Sequence, residues 1–293
     1  MGATVPRGLA ATSDRSTIPT VRHAIAVASG KGGVGKSTVS VNVAVALAET
    51  GASVGLLDGD IYGPNIPIMM GIKQALERSE TGKITPPVQY GVRLVSVGFV
   101  AGESDAIIYR GPLVGKMIQR FLSGVDWGDL DYLIIDLPPG TGDASLTLAQ
   151  SAPLTGAVIV TTPQEVALAD VRKCITMFRR VNVPILGVVE NMSYFLCPRC
   201  GERTDIFSHG GGRAASEELD LPFLGEIPLD PRVRVGGDEG RPIVVANPDS
   251  SLALAFREIA GNLAARVSVV TLTGPDAVQI ELPKKEPESS RSC

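Results

Sequence analysis

Short apolar runs alternate along this chain with longer stretches in which apolar residues recur at helical spacing. The runs are rich in Val, Ile and Leu and lack polar alternation, which is typical of strands covered on both faces of a parallel sheet. We predict strands at HAIAVAS (23–29), SVGLLDG (53–59), VRLVSVG (92–98), DYLIIDLP (131–138), GAVIVTTP (156–163), PILGVVENM (184–192) and LPFLGEIP (221–228).

Helical patterns occupy most of the intervals between these runs. The pattern predicts helices at residues 36–50, 111–122, 143–152, 165–181, 212–219 and 250–267. Strand–helix–strand order is typical of an open sheet with helices on both faces. The sequence therefore predicts the α/β class, with a doubly wound, mostly parallel sheet.

One domain accounts for the regular part of the chain. We expect residues 21–270 to form it, at a size near the upper limit for a single core. Residues 1–20 mix Gly, Pro, Ser and Thr, and residues 271–293 end in the charged stretch LPKKEPESSRSC. We expect the first segment to be flexible and the last to be disordered, because neither carries enough apolar residues for a core.

The chain start and the cysteine content bear on location. Residues 1–20 lack the apolar stretch of a secretory signal, and two prolines disfavour the amphipathic helix of an organelle transit peptide. Four cysteines are too few for a disulfide framework at this length. We therefore predict a cytoplasmic location, with an organelle matrix as the less favoured alternative.

Charge and hydropathy exclude two classes of partner. The formal net charge is −4, so the chain lacks the basic surplus of a nucleic-acid binder. None of its apolar runs reaches the length of a membrane span. We predict that neither nucleic acid nor membrane is a partner.

A glycine-rich loop follows the first predicted strand. In SGKGGVGKST (29–38), Gly30, Gly35, Lys36 and Ser37 fit the P-loop pattern. Glycines let backbone N–H groups close around phosphates, and the following helix points its positive end at them. Lys36 can reach the β- and γ-phosphates, and Ser37 can bind Mg²⁺.

The same letters also satisfy a dinucleotide-binding fingerprint. Gly30, Gly32 and Gly35 form GxGxxG, and Asp58 follows about 20 residues later, at the end of the second strand. A cation and a hydroxyl at the start of the helix, Lys36 and Ser37, suit a triphosphate with Mg²⁺. We therefore favour the P-loop.

Three aspartates end predicted strands. Asp136 ends LIID, where the Mg²⁺-associated aspartate of a P-loop ATPase would stand. Asp58 and Asp60 follow another strand, and Asp60 could position the attacking water. A solvated turn or a helix cap is the alternative for each aspartate alone.

Cys197 and Cys200 stand at metal-ligand spacing, and the chain has no second CxxC. A closed site usually needs four protein ligands, so one chain supplies half of one. Zinc completed within the chain by His209 and a redox pair are both open alternatives. Cys174 lies in a predicted helix and is interpreted as a core thiol, and Cys293 as incidental.

The glycine-rich loop carries a further lysine, Lys31, and GKGGVGKST resembles the deviant Walker A motif. That motif marks a group including the nitrogenase iron protein, the MinD and ParA partition ATPases and the arsenite-pump ATPases. Within it, DGDIYGPN, DLPPGTGD, ENMSYFLCPRCG and GEIPLDPRVR together resemble the Mrp/ApbC family of iron–sulfur cluster carrier ATPases. The resemblance runs from about Val21 to Val267.

The resemblance implies roles for matching residues. Lys31 would reach the phosphates of the partner's nucleotide in a dimer, and Asp60 and Asp136 would lie in switch I and switch II. Asn191 would lie near the adenine and Pro228 would line the base pocket. The implied ATP-binding loop is Gly30, Lys31, Gly32, Gly33, Val34, Gly35, Lys36, Ser37 and Thr38, and we place Asp58 beside it. Cys197 and Cys200 match the pair thought to hold a [4Fe-4S] cluster between two subunits.

These observations lead to one main hypothesis and two rivals. The main hypothesis is a slow, Mg²⁺-dependent ATPase that forms a homodimer, carries a [4Fe-4S] cluster from a scaffold and transfers it to apo-proteins. A partition ATPase of the MinD/ParA type would need a basic amphipathic C-terminal helix or a basic DNA-binding face. An electron-transfer ATPase like the nitrogenase iron protein takes its cluster thiolates singly from two loops.

Overall fold

The computed structural model describes residue 18 and residues 20–73, 76–80, 82–99 and 111–273, with only the backbone of residues 111–114. The strands are β1 (Val21–Ser29), β2 (Val54–Asp58), β3 (Glu77–Arg78), β4 (Ile84–Thr85), β5 (Val88–Gln89), β6 (Val92–Ser96), β7 (Leu130–Asp136), β8 (Gly156–Thr161), β9 (Ile185–Leu196), β10 (Arg203–Thr204) and β11 (Phe223–Leu229). The helices are α1 (Lys36–Glu49), α2 (Ile66–Met69), α3 (Gly111–Ser123), α4 (Asp143–Ser151), α5 (Glu165–Arg180), α6 (Gly211–Glu218), α7 (Pro231–Asp238), α8 (Ile243–Ala246) and α9 (Ser251–Thr273).

Nine of the described strands form one sheet. Its order is β10-β9-β8-β1-β7-β2-β6-β5, and β11 pairs with β9 as well. The long strands pair in parallel, while the two-residue strands β5 and β10 pair antiparallel to their neighbours. The predicted α/β class with a mostly parallel sheet is confirmed.

Each face of the sheet carries its own hydrophobic core. Successive side chains of β1 point to opposite faces, so Ile25 packs with α1 and α9, whereas Ala24 packs with α3, α4 and α5. Both faces of the central strands are therefore buried, which explains their unbroken apolar sequences.

The predicted long elements are all present, and three differences are informative. Strand β9 continues to Leu196, four residues past its predicted end, because β11 and β10 pair with its second half. Helix α9 continues to Thr273, so residues 271–273 are helical. Helices α2, α7 and α8 were not predicted, because they are too short to show a period of their own.

The chain ends lie mostly outside the described residues. Ile18 is buried in the core, and the rest of the predicted flexible segment up to residue 17 is outside, as are residue 19 and residues 274–293, including Cys293. The predicted domain limits stay predictions. None of the helices in the described part of the chain combines the length and hydrophobicity needed to cross a bilayer.

Candidate functional site

The carboxyl ends of three adjacent strands place the candidate nucleotide site. In the order β1-β7-β2, the glycine-rich loop follows β1, Asp136 ends β7 and Asp58 ends β2. Asp58 and Asp136 are register partners in the parallel pair, so their side chains leave the sheet side by side. Ligands of open α/β sheets bind at this edge.

Close packing requires glycine at two positions of the loop. Gly35 has φ of 82°, and a Cβ there would lie 2.1 Å from Asn191 Nδ2. A Cβ at Gly30 would lie 2.4 Å from the backbone carbon of Asp170 on α5. Helix α1 begins directly after the loop at Lys36, so its unpaired N–H groups face the loop.

Asp136 is the centre of a buried polar network. Lys36 Nζ donates to Asp136 Oδ2 at 2.5 Å, and Ser37 Oγ donates to the same oxygen at 2.6 Å. Ser40 Oγ donates to Oδ1 at 2.6 Å, so both carboxylate oxygens are occupied. Lys36 Nζ also lies 3.8 Å from Asp60 Oδ2. The arrangement brings together the cation, hydroxyl and carboxylates that a Mg²⁺–phosphate complex requires.

The two aspartates after β2 are harder to ionise than usual. Burial, followed by the charge of Asp136, raises the pKa of Asp58 to about 7, although Ser96 donates to Asp58 Oδ2 at 2.8 Å. Burial also raises the pKa of Asp60, and the nearby Lys36 ammonium opposes that shift. A carboxylate with a raised pKa beside the phosphate loop is suited to accept a proton or orient water.

A cavity of about 520 Å³ adjoins the loop. Asn191 Nδ2 donates to the carbonyl oxygen of Val34 at 2.8 Å, which ties β9 to the loop at the cavity wall. The lining includes Gly35, Thr38, Asn65, Met69, Asn191, Met192, Pro228, Val233 and Arg234. The structure thus brings Asn191 and Pro228 together with Thr38 in the wall of one cavity.

Lys31 differs from Lys36 in its surroundings. Lys36 is buried, whereas Lys31 is only half-buried. Ser29 Oγ donates to the backbone carbonyl of Lys31, but the Lys31 ammonium has no hydrogen bond or ion pair to any described residue. A lysine in this position is available to a second molecule.

The two cysteines occupy a tight loop between β9 and β10. Cys197 N donates to the carbonyl of Glu202 at 2.9 Å, and Gly201 N donates to the carbonyl of Cys197 at 2.8 Å. Cys197 is half-buried and Cys200 is exposed. N–H groups of Cys200 and Arg199 that point at the Cys197 sulfur, with the Cys200 thiol, lower the pKa of Cys197. The loop therefore makes it easier for Cys197 to form the thiolate, the form that binds metal.

We call residues 196–204 the cysteine hairpin, and exposed apolar side chains lie in it and just after it in the chain. Leu196 is 41%, Ile206 50% and Phe207 36% exposed. Such a grouping is typical of a surface that contacts another molecule.

The structure separates the cysteine alternatives. His209 Nε2 lies 3.0 Å from Glu226 Oε2, and the described cluster of potential ligands that contains His209 includes no cysteine. Zinc completed by His209 therefore gains no support, nor does a redox pair, because the cysteines lie in a hairpin and not at a helix start. Cys174 is fully buried, and burial raises the pKa of its thiol to about 12. Both properties agree with its interpretation as a core thiol.

Several polar residues of the candidate site were not among those predicted from the sequence. Ser40 lies four residues after Lys36, on the same face of α1, and this helical spacing from Lys36 was an available signal. Ser96 ends β6 beside Asp58. The position at a strand end that singled out the aspartates would have singled out Ser96 as well. Asn65 precedes the short helix α2, and Arg234 lies on the short helix α7. The sequence around them has no pattern that would predict a place in the cavity wall.

Comparison with known proteins agrees with this geometry. Residues 20–264 match the ParA family described as NUBPL iron-transfer P-loop NTPase. The chain is 53% identical over 264 residues to an iron-sulfur cluster carrier protein of Synechocystis, covering 88% of this chain and 75% of that protein. It is 48% identical over 249 residues to the mouse iron-sulfur cluster transfer protein NUBPL, covering 84% and 78%.

Solved structures give the same result. A nucleotide-binding protein of Archaeoglobus fulgidus, in complex with ADP and with cobalt found in it, has a TM-score of 0.72 and 41% identity, covering 85% of this chain and 98% of that chain. The septum site-determining protein MinD of Pyrococcus horikoshii, complexed with Mg-ADP, has a TM-score of 0.65 and 26% identity, covering 85% and 98%. With the phosphate loop, the paired aspartates and the cysteine hairpin in place, the chain belongs to the ParA family of NUBPL iron-transfer P-loop NTPases.

Proposed function

We propose that this protein is an ATP-hydrolysing carrier of iron–sulfur clusters. Two copies together bind one [4Fe-4S] cluster as cargo through Cys197 and Cys200 of each chain and transfer it to apo-proteins. The observation that carries the proposal is the cysteine hairpin, which presents two accessible thiols on one loop. Relatives named as carrier or transfer proteins support it.

The hairpin fits a shared cluster better than a site within one chain. A [4Fe-4S] cluster commonly takes four cysteine thiolates, and one chain offers two here. A two-fold dimer places the same loop of both chains on its axis and supplies four. The exposed Leu196, Ile206 and Phe207 would then cover the thiolates in the dimer.

Nucleotide binds at the loop of residues 30–38. Backbone N–H groups of Gly30 through Thr38 hold the phosphates, and Ser37 with Asp136 holds Mg²⁺ directly or through water. The base lies in the cavity beside Asn191 and Pro228. Solved relatives that contain ADP support this placement.

Hydrolysis depends on residues from both chains. Lys36 neutralises charge on the phosphates of its own chain, and Lys31 reaches those of the partner. Asp60 orients the attacking water, and Asp58 lies two residues earlier, at the end of β2. We expect the reaction to be slow, because the site is complete only in the dimer.

Strand β9 connects the two sites. Asn191 on this strand donates a hydrogen bond to Val34 of the phosphate loop. Cys197 follows six residues later, in the turn directly after the strand. A shift of the loop when nucleotide is hydrolysed is therefore passed to the hairpin, and cargo affinity changes with nucleotide state.

Anaerobic reconstitution tests the cargo site. Iron, sulfide, visible absorbance and subunit mass are measured for the wild type and for Cys197→Ser, Cys200→Ser and Cys174→Ser. We expect four iron atoms per dimer in the wild type and in Cys174→Ser, and loss of cluster with retained ADP binding in the other two. Full cluster retention without Cys197 and Cys200 would refute the assignment, and zinc without sulfide would identify a structural zinc site instead.

A partition ATPase is the rival class. In the described residues, the last helix α9 carries only Arg257 and Arg266 as basic residues, which is not the basic face such a protein needs. Co-sedimentation with anionic vesicles or DNA separates the two classes. The cytoplasmic location stays a prediction, since one relative is described as mitochondrial.

A further inference from the structure

Three potential metal ligands meet outside the nucleotide site and the cysteine hairpin. Glu190 lies on β9, and Glu226 lies opposite it on the paired strand β11. His209 lies in the loop before α6. One ligand atom of each residue lies within 4.8 Å of those of the other two.

The cluster contains two carboxylates, of Glu190 and Glu226, and one imidazole, of His209. Ser193 Oγ lies within hydrogen-bond distance of Glu190 Oε1 and, at 3.2 Å, of Glu226 Oε2. Its single proton serves only one of them at a time. Neither carboxylate forms an ion pair with a lysine or arginine of the described chain. Two carboxylates brought together at a partly buried place favour a bound cation.

The buried member of the cluster is held rigidly. Glu190 is fully buried, and its carboxylate accepts hydrogen bonds from the backbone N–H groups of Gly210 and Gly212 at the start of α6. The His209 ring contacts Tyr194 edge-on, with ring centroids 6.2 Å apart. Contacts of this kind orient the residues that coordinate a metal.

The other two members are open to solvent. The side chains of His209 and Glu226 are 35% and 28% exposed. An ion can therefore enter from the surface, and water can occupy the coordination positions that the protein leaves free.

We propose that Glu190, His209 and Glu226 bind one divalent first-row transition-metal ion. Imidazole and carboxylate together suit Mn²⁺, Fe²⁺, Co²⁺ and Zn²⁺. The ligand atoms lie within 4.8 Å of one another, and two ligands bound at about 2.1 Å lie at most about 4.2 Å apart, so any pair wider than that closes when the ion binds. The site uses no cysteine, and it stands whether or not the cluster-carrier function is correct.

A metal-free ion pair is the competing arrangement. His209 Nε2 already lies 3.0 Å from Glu226 Oε2, and a protonated imidazole there would supply the missing positive charge. The two arrangements differ in whether a metal ion displaces that hydrogen bond.

Co²⁺ titration distinguishes them. The parent protein is the full chain with Cys197→Ser and Cys200→Ser, without nucleotide. Binding of Co²⁺ to it is measured by calorimetry and visible absorption. We expect one Co²⁺ per chain, bound at least tenfold more weakly after His209→Ala or Glu226→Gln. Glu217→Gln removes an equal charge from the exposed face of α6 and should leave Co²⁺ affinity unchanged.

Nitrogen coupling provides a readout of the ligand itself. Mn²⁺ bound to the parent should show imidazole nitrogen in electron spin-echo spectra, and the signal should vanish in His209→Ala. Glu226→Gln is nearly isosteric, and circular dichroism and ADP binding verify that each variant is folded. Failure of the folded parent to bind Co²⁺, or equal binding by parent and His209→Ala, overturns the proposal in favour of the ion pair.

Discussion

Asn191 Nδ2 donates a 2.8 Å hydrogen bond to the backbone carbonyl of Val34, a residue 157 positions earlier in the chain. This bond joins the strand that leads to the cysteines to the loop that encloses the phosphates. Both groups are buried, so the bond is shielded from water.

Replacing Asn191 by alanine should weaken nucleotide binding. Loss of one buried hydrogen bond costs about 1 kcal/mol, which corresponds to about fivefold in the Kd for ADP. Calorimetric titration measures the change. Asn262→Ala is the control, because Asn262 on α9 donates a 2.9 Å bond of the same kind to the carbonyl of Leu224 on β11. Equal ADP affinity in both variants would contradict the role of Asn191.

Alanine at Gly35 should cost more than alanine at Gly51. Both glycines have positive φ, of 82° and 90°, so both substitutions carry left-handed strain of about 1–2 kcal/mol. A Cβ at Gly35 also meets Asn191, whereas one at Gly51 meets nothing within 4 Å. We expect Gly35→Ala to lose ADP binding and Gly51→Ala to keep it. Urea unfolding and ADP titration provide both readouts, and matching results for the two would argue against close packing here.

Asp58 should make the protein less stable as pH rises. Its pKa lies near 7 in the folded protein against an ordinary value of 3.8, so the folded state holds an extra proton between these values. Stability therefore falls as pH rises through that window. Asp58→Asn should remove this dependence and raise the Tm, relative to wild type, more at pH about 8 than at pH about 5.

Scanning calorimetry across this range tests the assignment. The exposed Asp126→Asn serves as the control, and its Tm profile should run parallel to that of the wild type. A parallel profile for Asp58→Asn as well would show that Asp58 ionises normally.

Ser40→Ala should weaken metal-dependent nucleotide binding. Ser40 is the donor to Asp136 Oδ1, and leaving that buried oxygen without a partner costs about 1–3 kcal/mol. Ser145→Ala is a matched control, because Ser145 is equally buried but donates to the carbonyl of Pro138. Titrating ADP with and without Mg²⁺ should show reduced Mg²⁺ dependence only in Ser40→Ala.

Mixing two inactive chains tests whether Lys31 acts on the partner. A Lys31→Ala chain keeps its own Asp136, and an Asp136→Asn chain keeps its Lys31. In a mixed dimer one site is complete, so an equimolar mixture should recover about a quarter of wild-type hydrolysis. A mixture as inactive as its components would show that Lys31 serves its own chain.

Local pattern was sufficient for much of the site. The glycine-rich loop, Lys36, Ser37 and the strand-end aspartates could be assigned because a parallel sheet brings the carboxyl ends of its strands to one edge. Spacing singled out Cys197 and Cys200 as candidate metal ligands, and that role stays a prediction. The resemblance added Lys31, Asn191 and Pro228, of which the last two indeed line one cavity.

Contacts between distant segments were beyond the reach of pattern. Part of the lining of the cavity beside the glycine-rich loop comes from the short helices α2 and α7, and the Glu190, His209 and Glu226 cluster joins two strands and a loop. A two-turn helix or a histidine in a loop has no sequence periodicity from which its spatial neighbours could be predicted.

The order of apolar and polar residues was enough to specify the sheet class, the phosphate loop and the sulfur pair, because these depend on spacing along one segment. Folding alone settled which oxygen each donor meets, how strongly Asp58 resists ionisation and where His209 points. Those properties arise from burial and from packing between segments far apart in the chain, and neither is written in local sequence.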